Sequence, residues 1–129
     1  MTDAPAPRVE LRLPPDPRLL RVLRLAASGV ASLGAFDLQS VEEVRVSIDE
    51  LGSALIAAGS GAQIDFSIEL TPTGLLVEGS TPLAPGTELQ VDPLTDQILS
   101  AVTSTHEWTS VDGVACGRFE RSSTTTTTT

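Results

Sequence analysis

Residues 41–58 place the tightest limit on the fold. Val41, Val44, Ile48, Leu51, Leu55 and Ala58 recur at intervals of three and four, which at about 100° per residue gathers them into one stripe of an amphipathic helix. Ser47, Glu50 and Ala54 fall together beside that stripe, at the edge between core and solvent, where a carboxylate can line a cleft. Gly59-Ser-Gly61 ends the helix. Everything else in the chain must cover this apolar stripe.

The segments on either side supply the cover. Residues 62–70 alternate strictly, with Ile64, Phe66, Ile68 and Leu70 on one face and Gln63, Asp65, Ser67 and Glu69 on the other, which predicts a half-buried strand. Thr71-Pro-Thr-Gly74 is a tight turn, residues 74–79 return as a second strand of a hairpin, and residues 80–86 form a Pro/Gly/Thr-rich loop. Upstream, residues 8–13 alternate with Val9, Leu11 and Leu13 on one face, and Pro14-Pro15 stops that strand. Asp16 followed by Pro17 has the form of a helix cap and first turn. The helix it starts is expected to run to about Leu33, burying Leu19, Leu23, Ala26, Val30 and Leu33. Ser40 with Glu43 reads as a capping box for the central helix. Asp92-Pro93 repeats the cap-then-proline pattern, and Leu94, Ile98, Ala101, Val102 and Thr105 predict a third helix ending near Trp108. A last strand is expected at about residues 113–120.

The order is therefore β-α-α-β-β-α-β. It predicts an α+β two-layer sandwich, with a mixed, mainly antiparallel sheet of about four strands and three helices on one face. One domain at residues 8–121 fits the 129-residue length. Residues 1–7 read as a disordered Pro/Ala-rich leader, and residues 122–129 as a disordered threonine-rich tail.

Charge narrows the function classes. Residues 1–45 carry six acids and six arginines, net zero; residues 46–129 carry eleven acids against Arg118 and Arg121, net −9. A field of that sign repels phosphates, so nucleic acid is not an expected partner. All eight basic residues are arginine, which removes a P-loop lysine. Arg18, Arg21 and Arg24 form the one basic patch and are the candidate partner-binding residues, on the side of the first helix facing water. No run is long and apolar enough to span a membrane, and the N-terminus lacks the signature of an export signal, so a cytoplasmic location is expected. The single cysteine, Cys116, allows no internal disulfide or cysteine-based metal site. It reads as a small buried strand residue, alternating with Val114. His106 reads as a favourable dipole partner at a helix C-terminus, and Trp108 as either core or partner anchor.

The run Val9-Glu-Leu-Arg-Leu-Pro-Pro-Asp-Pro-Arg-Leu-Leu-Arg-Val-Leu-Arg-Leu25, followed by Val44-Arg-Val-Ser-Ile-Asp-Glu-Leu51, resembles the GHKL (Bergerat-fold) ATPase domain of bacterial anti-sigma factor serine kinases. The likeness covers roughly residues 8–121. It implies that Glu50 matches a catalytic glutamate that polarises the attacking hydroxyl or water, and that Asp49 matches the acid often preceding it. Ala54 stands where the family has an asparagine that holds Mg²⁺. The family's Asp-x-Gly-x-Gly box is replaced by Glu78-Gly-Ser-Thr-Pro82, with Glu78 as a displaced remnant. Its glycine-rich phosphate segment is replaced by Asp92-Pro-Leu-Thr-Asp-Gln-Ile-Leu99. The resemblance thus implies Glu50, Asp49 and Glu78 as the nucleotide-facing set, no resident metal, and ATP with Mg²⁺ as cofactor only if the site is active. Two functions follow from it. One is a regulatory protein-binding module recognising a sigma factor or an anti-anti-sigma-type partner, with a homodimer as the family's common state. The other is an ATP-dependent protein serine kinase with Glu50 as base.

Overall fold

The computed structural model describes residues 6–124. Its elements are β1 (Arg8–Leu13), a 3₁₀ turn (Pro17–Leu19), α1 (Leu20–Ala31), α2 (Leu38–Ala58), β2 (Ile64–Thr71), β3 (Gly74–Pro82), α3 (Pro93–Val102), β4 (Thr105–Val111) and β5 (Val114–Ser122). The strands form one sheet in the order β1-β2-β3-β5-β4, antiparallel at every pairing. The sheet therefore has five strands rather than about four, and no parallel pair makes it mixed.

The extra strand comes from the stretch read as the end of the third helix. Helix α3 stops at Val102, where Thr103 turns extended and its hydroxyl donates to the Leu99 carbonyl at 2.6 Å. The residues beyond it, Thr105-His-Glu-Trp-Thr-Ser-Val111, favour a pleated surface over a helix. Asp112 and Gly113 then take positive φ, 52° and 76°, as a two-residue hairpin turn requires. His106 and Trp108 consequently lie on a strand, and the expected role of His106 at a helix C-terminus does not apply.

Local capping explains most of the remaining differences. Asp16 accepts from the Arg18 amide at 3.0 Å, but the first turn is 3₁₀ and only then does α1 begin. A tighter turn shifts the phase of the helix, so the buried set is Leu20, Leu23, Ala27, Val30 and Ala31. Leu33 lies past the helix end and is 66% exposed. Helix α2 starts at Leu38 and is capped by Asp37, whose Oδ1 accepts from the Ser40 amide at 2.7 Å. The expected capping box at Ser40 is thus displaced by a carboxylate three residues earlier. The Ser40 hydroxyl and amide hold the Asp37 carboxyl below its usual range.

The core is shared by α1, α2 and the sheet. Val44, Ile48, Leu51 and Leu55 of α2, with Leu23 and Ala27 of α1, pack with Ile64, Phe66, Ile68, Val77 and Phe119, all buried. Two glycines paired in register, Gly79 and Gly117, let α2 sit low on the sheet. A Cβ at Gly79 would lie 2.6 Å from Leu55 Cδ1, and one at Gly117 would lie 2.6 Å from Leu51 Cδ1 and 2.5 Å from Trp108 Cζ3.

The chain ends are tied in further than the sequence suggests. The Pro7 carbonyl accepts from the Leu70 amide at 2.9 Å. Ser122 belongs to β5, and the Thr124 hydroxyl accepts from the Asp37 amide at 3.0 Å. Residues 122–124 thus pack with the domain, while the rest of the expected leader and tail, residues 1–5 and 125–129, lies outside the described residues.

Candidate functional site

The residues singled out on the central helix meet α1 on one side and α3 on the other. Asp49 Oδ1 accepts from Arg24 Nη1 of α1 at 2.5 Å. About 100° further round the helix, Glu50 Oε2 accepts from the Thr95 hydroxyl of α3 at 3.0 Å. The next residue of α3, Asp96, lies 2.6 Å through Oδ1 from His106 Nε2 of β4. Helix α2, helix α3 and the edge strand are thus joined by two polar contacts from adjacent α3 residues.

The flank beside the core stripe offers less than its sequence pattern suggests. Ser47 is fully buried and donates its hydroxyl back to the Glu43 carbonyl at 2.8 Å. Glu50 and Ala54 are half-buried. Over the adjoining sheet lies Trp108, its ring carbons against the Gly117 backbone; its indole Nε1 is buried without a hydrogen-bond partner. Four depressions, of about 470, 430, 350 and 120 Å³, are lined by other residues and contain none of Asp49, Glu50 and Ala54. A carboxylate held by a threonine hydroxyl can fix α3 on α2.

The start of α3 is also closed. Asp92 Oδ1 accepts from the Leu94 amide at 2.9 Å, and Pro93 contributes no amide. A helix N-terminus binds anions through free N–H groups; here the chain's own carboxylate takes that position.

Glu78 does not join this cluster. Gly79 is the residue of that stretch facing the helices, so Glu78 points to the opposite face of the sheet, where it lies in register with Ser67 and Arg118. Alternation explains the separation: neighbouring strand residues occupy opposite faces. The same rule corrects the reading of Cys116. Ala115 and Phe119 are buried, whereas Cys116 is half-buried on the open face and Val114 is exposed. Burial and the nearby Glu78 charge push its thiol pKa up, which makes it a weak nucleophile.

The basic patch is divided as well. Arg18 pairs with Asp16 at 2.7 Å and Arg24 is the half-buried partner of Asp49, so Arg24 does not face water as expected. Arg21 is exposed, with no carboxylate within ion-pair distance among the described residues. The contacts of Thr95, Asp96 and Trp108 were missed in the sequence. The available signal was Asp112-Gly113, which marks the hairpin that turns residues 105–111 into a strand.

Among the described residues no cluster of three or more His, Cys, Asp or Glu side chains is placed to hold a metal, and no helix is long and apolar enough to cross a membrane. No protein-family model matches the chain, and no curated protein matches it.

Proposed function

We propose that this protein is a cytoplasmic regulatory module of the anti-sigma-factor type that acts by binding a protein, a sigma factor or an anti-anti-sigma-like antagonist, without phosphotransfer. The reading carries over the resemblance in the two segments Val9–Leu25 and Val44–Leu51, on an α+β fold of three helices and a five-stranded antiparallel sheet.

The observation that carries it is the cap of α3. Asp92 places a carboxylate on the first free amide of that helix, at the position where the resemblance expects a nucleotide phosphate. Mg·ATP does not suit the residues present. Ala54 offers Mg²⁺ no oxygen, although this ion needs near-octahedral oxygen coordination. Glu50 is engaged by Thr95. Gly79, not an acid, faces the helices where the adenine-recognising aspartate is expected, and it is covered by Leu55 and Phe66.

Calorimetric titration of the purified protein into purified sigma factors and anti-anti-sigma proteins of its own genome tests the proposal. Complex formation without nucleotide, unchanged in Glu50→Gln, is the expected result. Binding that requires ATP and Mg²⁺, or that is lost in Glu50→Gln, overturns it in favour of the kinase reading. The melting temperature offers a second check, because a ligand at 100 times its Kd stabilises by about 2.7 kcal/mol. The curve is expected to stay flat at millimolar ATP or ADP with Mg²⁺.

A further inference from the structure

The face of the sheet away from the helices carries the largest of the depressions described above, about 470 Å³, lined among others by Arg12, Asp65, Ser67, Glu78, Ser80 and Cys116. Its floor is made of short side chains on three adjacent strands. Ser67 stands opposite Glu78 across β2 and β3, and Ser80 stands opposite Cys116 across β3 and β5. The rim is ionic and already paired. Arg12 holds Asp65 at 2.7 Å, and Arg8 holds Glu69 at 3.1 Å and Glu10 at 3.3 Å.

Of the three acids that line the trough, Glu10, Asp65 and Glu78, this pairing leaves one over. The third arginine of this face, Arg118, is Glu78's cross-strand neighbour, but it is bound to Glu120 at 2.8 Å. Glu78 therefore has no ion-pair partner within 4.0 Å among the described residues. Every guanidinium around the trough is committed, so an anionic ligand finds no free cationic donor there. The carboxylate and the two serine hydroxyls are acceptors set side by side, and the net charge of −9 adds a field that draws cations in. A guanidinium, with five N–H donors in a planar fork, can satisfy several acceptors at once, which a lysine ammonium does less well.

Resting on the protein-binding reading above, we propose that this trough is the seat for an arginine side chain of the protein partner, with Glu78 as its counter-ion and Ser67 and Ser80 as hydrogen-bond acceptors. The partner segment crosses the open face of the sheet, and the arginine enters between the Arg12–Asp65 pair and β5. Glu78, which the resemblance ties to a nucleotide, acts here on the face turned away from Glu50.

Cys116 gives a direct readout, because it lies in the trough and is the only cysteine. The full chain is alkylated with N-ethylmaleimide, with and without a synthetic peptide carrying alternating arginine and serine, and the modification rate is followed by mass spectrometry. Parallel arms use the same peptide with citrulline for arginine, with lysine for arginine, and free spermidine. Expected is a roughly tenfold slowing by the arginine peptide, little slowing by the lysine peptide or spermidine, and none by the neutral citrulline peptide. Glu78→Gln is expected to abolish the protection, judged as the ratio of rates with and without peptide, since removing the charge also alters the thiol itself. Glu78 is half-buried on an open face, and an unchanged melting curve establishes that the variant is folded.

Equal protection by citrulline or spermidine, no protection by the arginine peptide, or full protection in Glu78→Gln overturns the proposal. The two readings fail separately. A sigma factor or antagonist that binds wild type and Glu78→Gln equally, leaving Cys116 as reactive as before, removes the trough and keeps the protein-binding function. Peptide protection with no binding to any sigma factor or antagonist does the reverse.

Discussion

Replacing Gly117 with alanine tests the packing that closes the candidate site. The new Cβ meets Trp108 Cζ3 at 2.5 Å, Leu51 Cδ1 at 2.6 Å and Trp108 Cε3 at 2.7 Å, each about 1 Å inside the normal carbon contact of roughly 3.5–4.0 Å. Leu51 is fully buried, so both its methyl group and the indole must shift. Overpacking of this kind costs about 1–3 kcal/mol, and the gain from replacing a strand glycine returns about 0.5–1 kcal/mol. The net expectation is a loss of about 1–2 kcal/mol, a fall in Tm of about 4–8 °C for a domain of this size. Urea unfolding followed by tryptophan emission measures it, and Trp108, the only tryptophan, reports its own displacement by a red shift of the native spectrum. In a Trp108→Leu background the same substitution should cost less, because the two ring contacts are gone and only that with Leu51 remains. An alanine variant as stable as wild type, or an equal loss in both backgrounds, would refute the claim that the indole fills the space above Gly117.

Two further tests concern titratable groups. Asp37 has a native pKa depressed by the Ser40 hydroxyl and amide, so its charge adds stability above the unfolded carboxylate value and loses it as pH falls through the depressed native value. The Tm difference between wild type and Asp37→Asn should therefore be present at pH 7 and shrink toward zero in strong acid; a difference that grows on acidification contradicts the sign. The Cys116 thiol, raised by burial and by Glu78, should be alkylated more slowly at pH 8 than the thiol of an unstructured peptide. Equal rates would mean that the open face does not shield it.

Much of the fold was legible because periodicity carries burial. The α2 stripe of Val44, Ile48, Leu51 and Leu55 and the alternation of Ile64, Phe66 and Ile68 are core residues, and Thr71–Gly74 is the turn between β2 and β3. The misreadings share a physical origin, in that a stripe does not report where its element ends. Leu94 and Ala101 continue a helical pattern into Val102, but the residues beyond pair with β5, and a hydrogen-bonded partner strand is not visible in a helical wheel. Phase was lost at α1 for a related reason, since a 3₁₀ first turn rotates everything after it. The candidate site was half legible. Glu50 and Asp49 are where the helix pattern places them, whereas their partners Thr95 and Arg24 depend on helix crossings that no local pattern specifies. Glu78 sits one residue from the face it was assigned to, and in a strand one residue reverses the side.

That reversal bears on whether the nucleotide site could be rebuilt by single changes. Ala54→Asn restores the side chain that the resemblance assigns to Mg²⁺, and Asp92→Asn removes the negative charge at the start of α3. Neither supplies an adenine-recognising acid. The only carboxylate in Glu78-Gly-Ser-Thr-Pro82 lies beyond the sheet, and an aspartate at Gly79 would enter space held by Leu55 Cδ1 at 2.6 Å and by the Phe66 ring at 2.8 and 2.9 Å. The phosphate end is blocked independently, because asparagine at position 92 can still cap the Leu94 amide and Pro93 still lacks a donor. The double variant Ala54→Asn/Asp92→Asn should accordingly show no ATP-dependent rise in Tm with Mg²⁺ at millimolar nucleotide. A rise in Tm, absent in wild type and present in the double variant, would mean that adenine recognition survives elsewhere in the cleft and that only the metal and phosphate contacts separate this chain from a working nucleotide site.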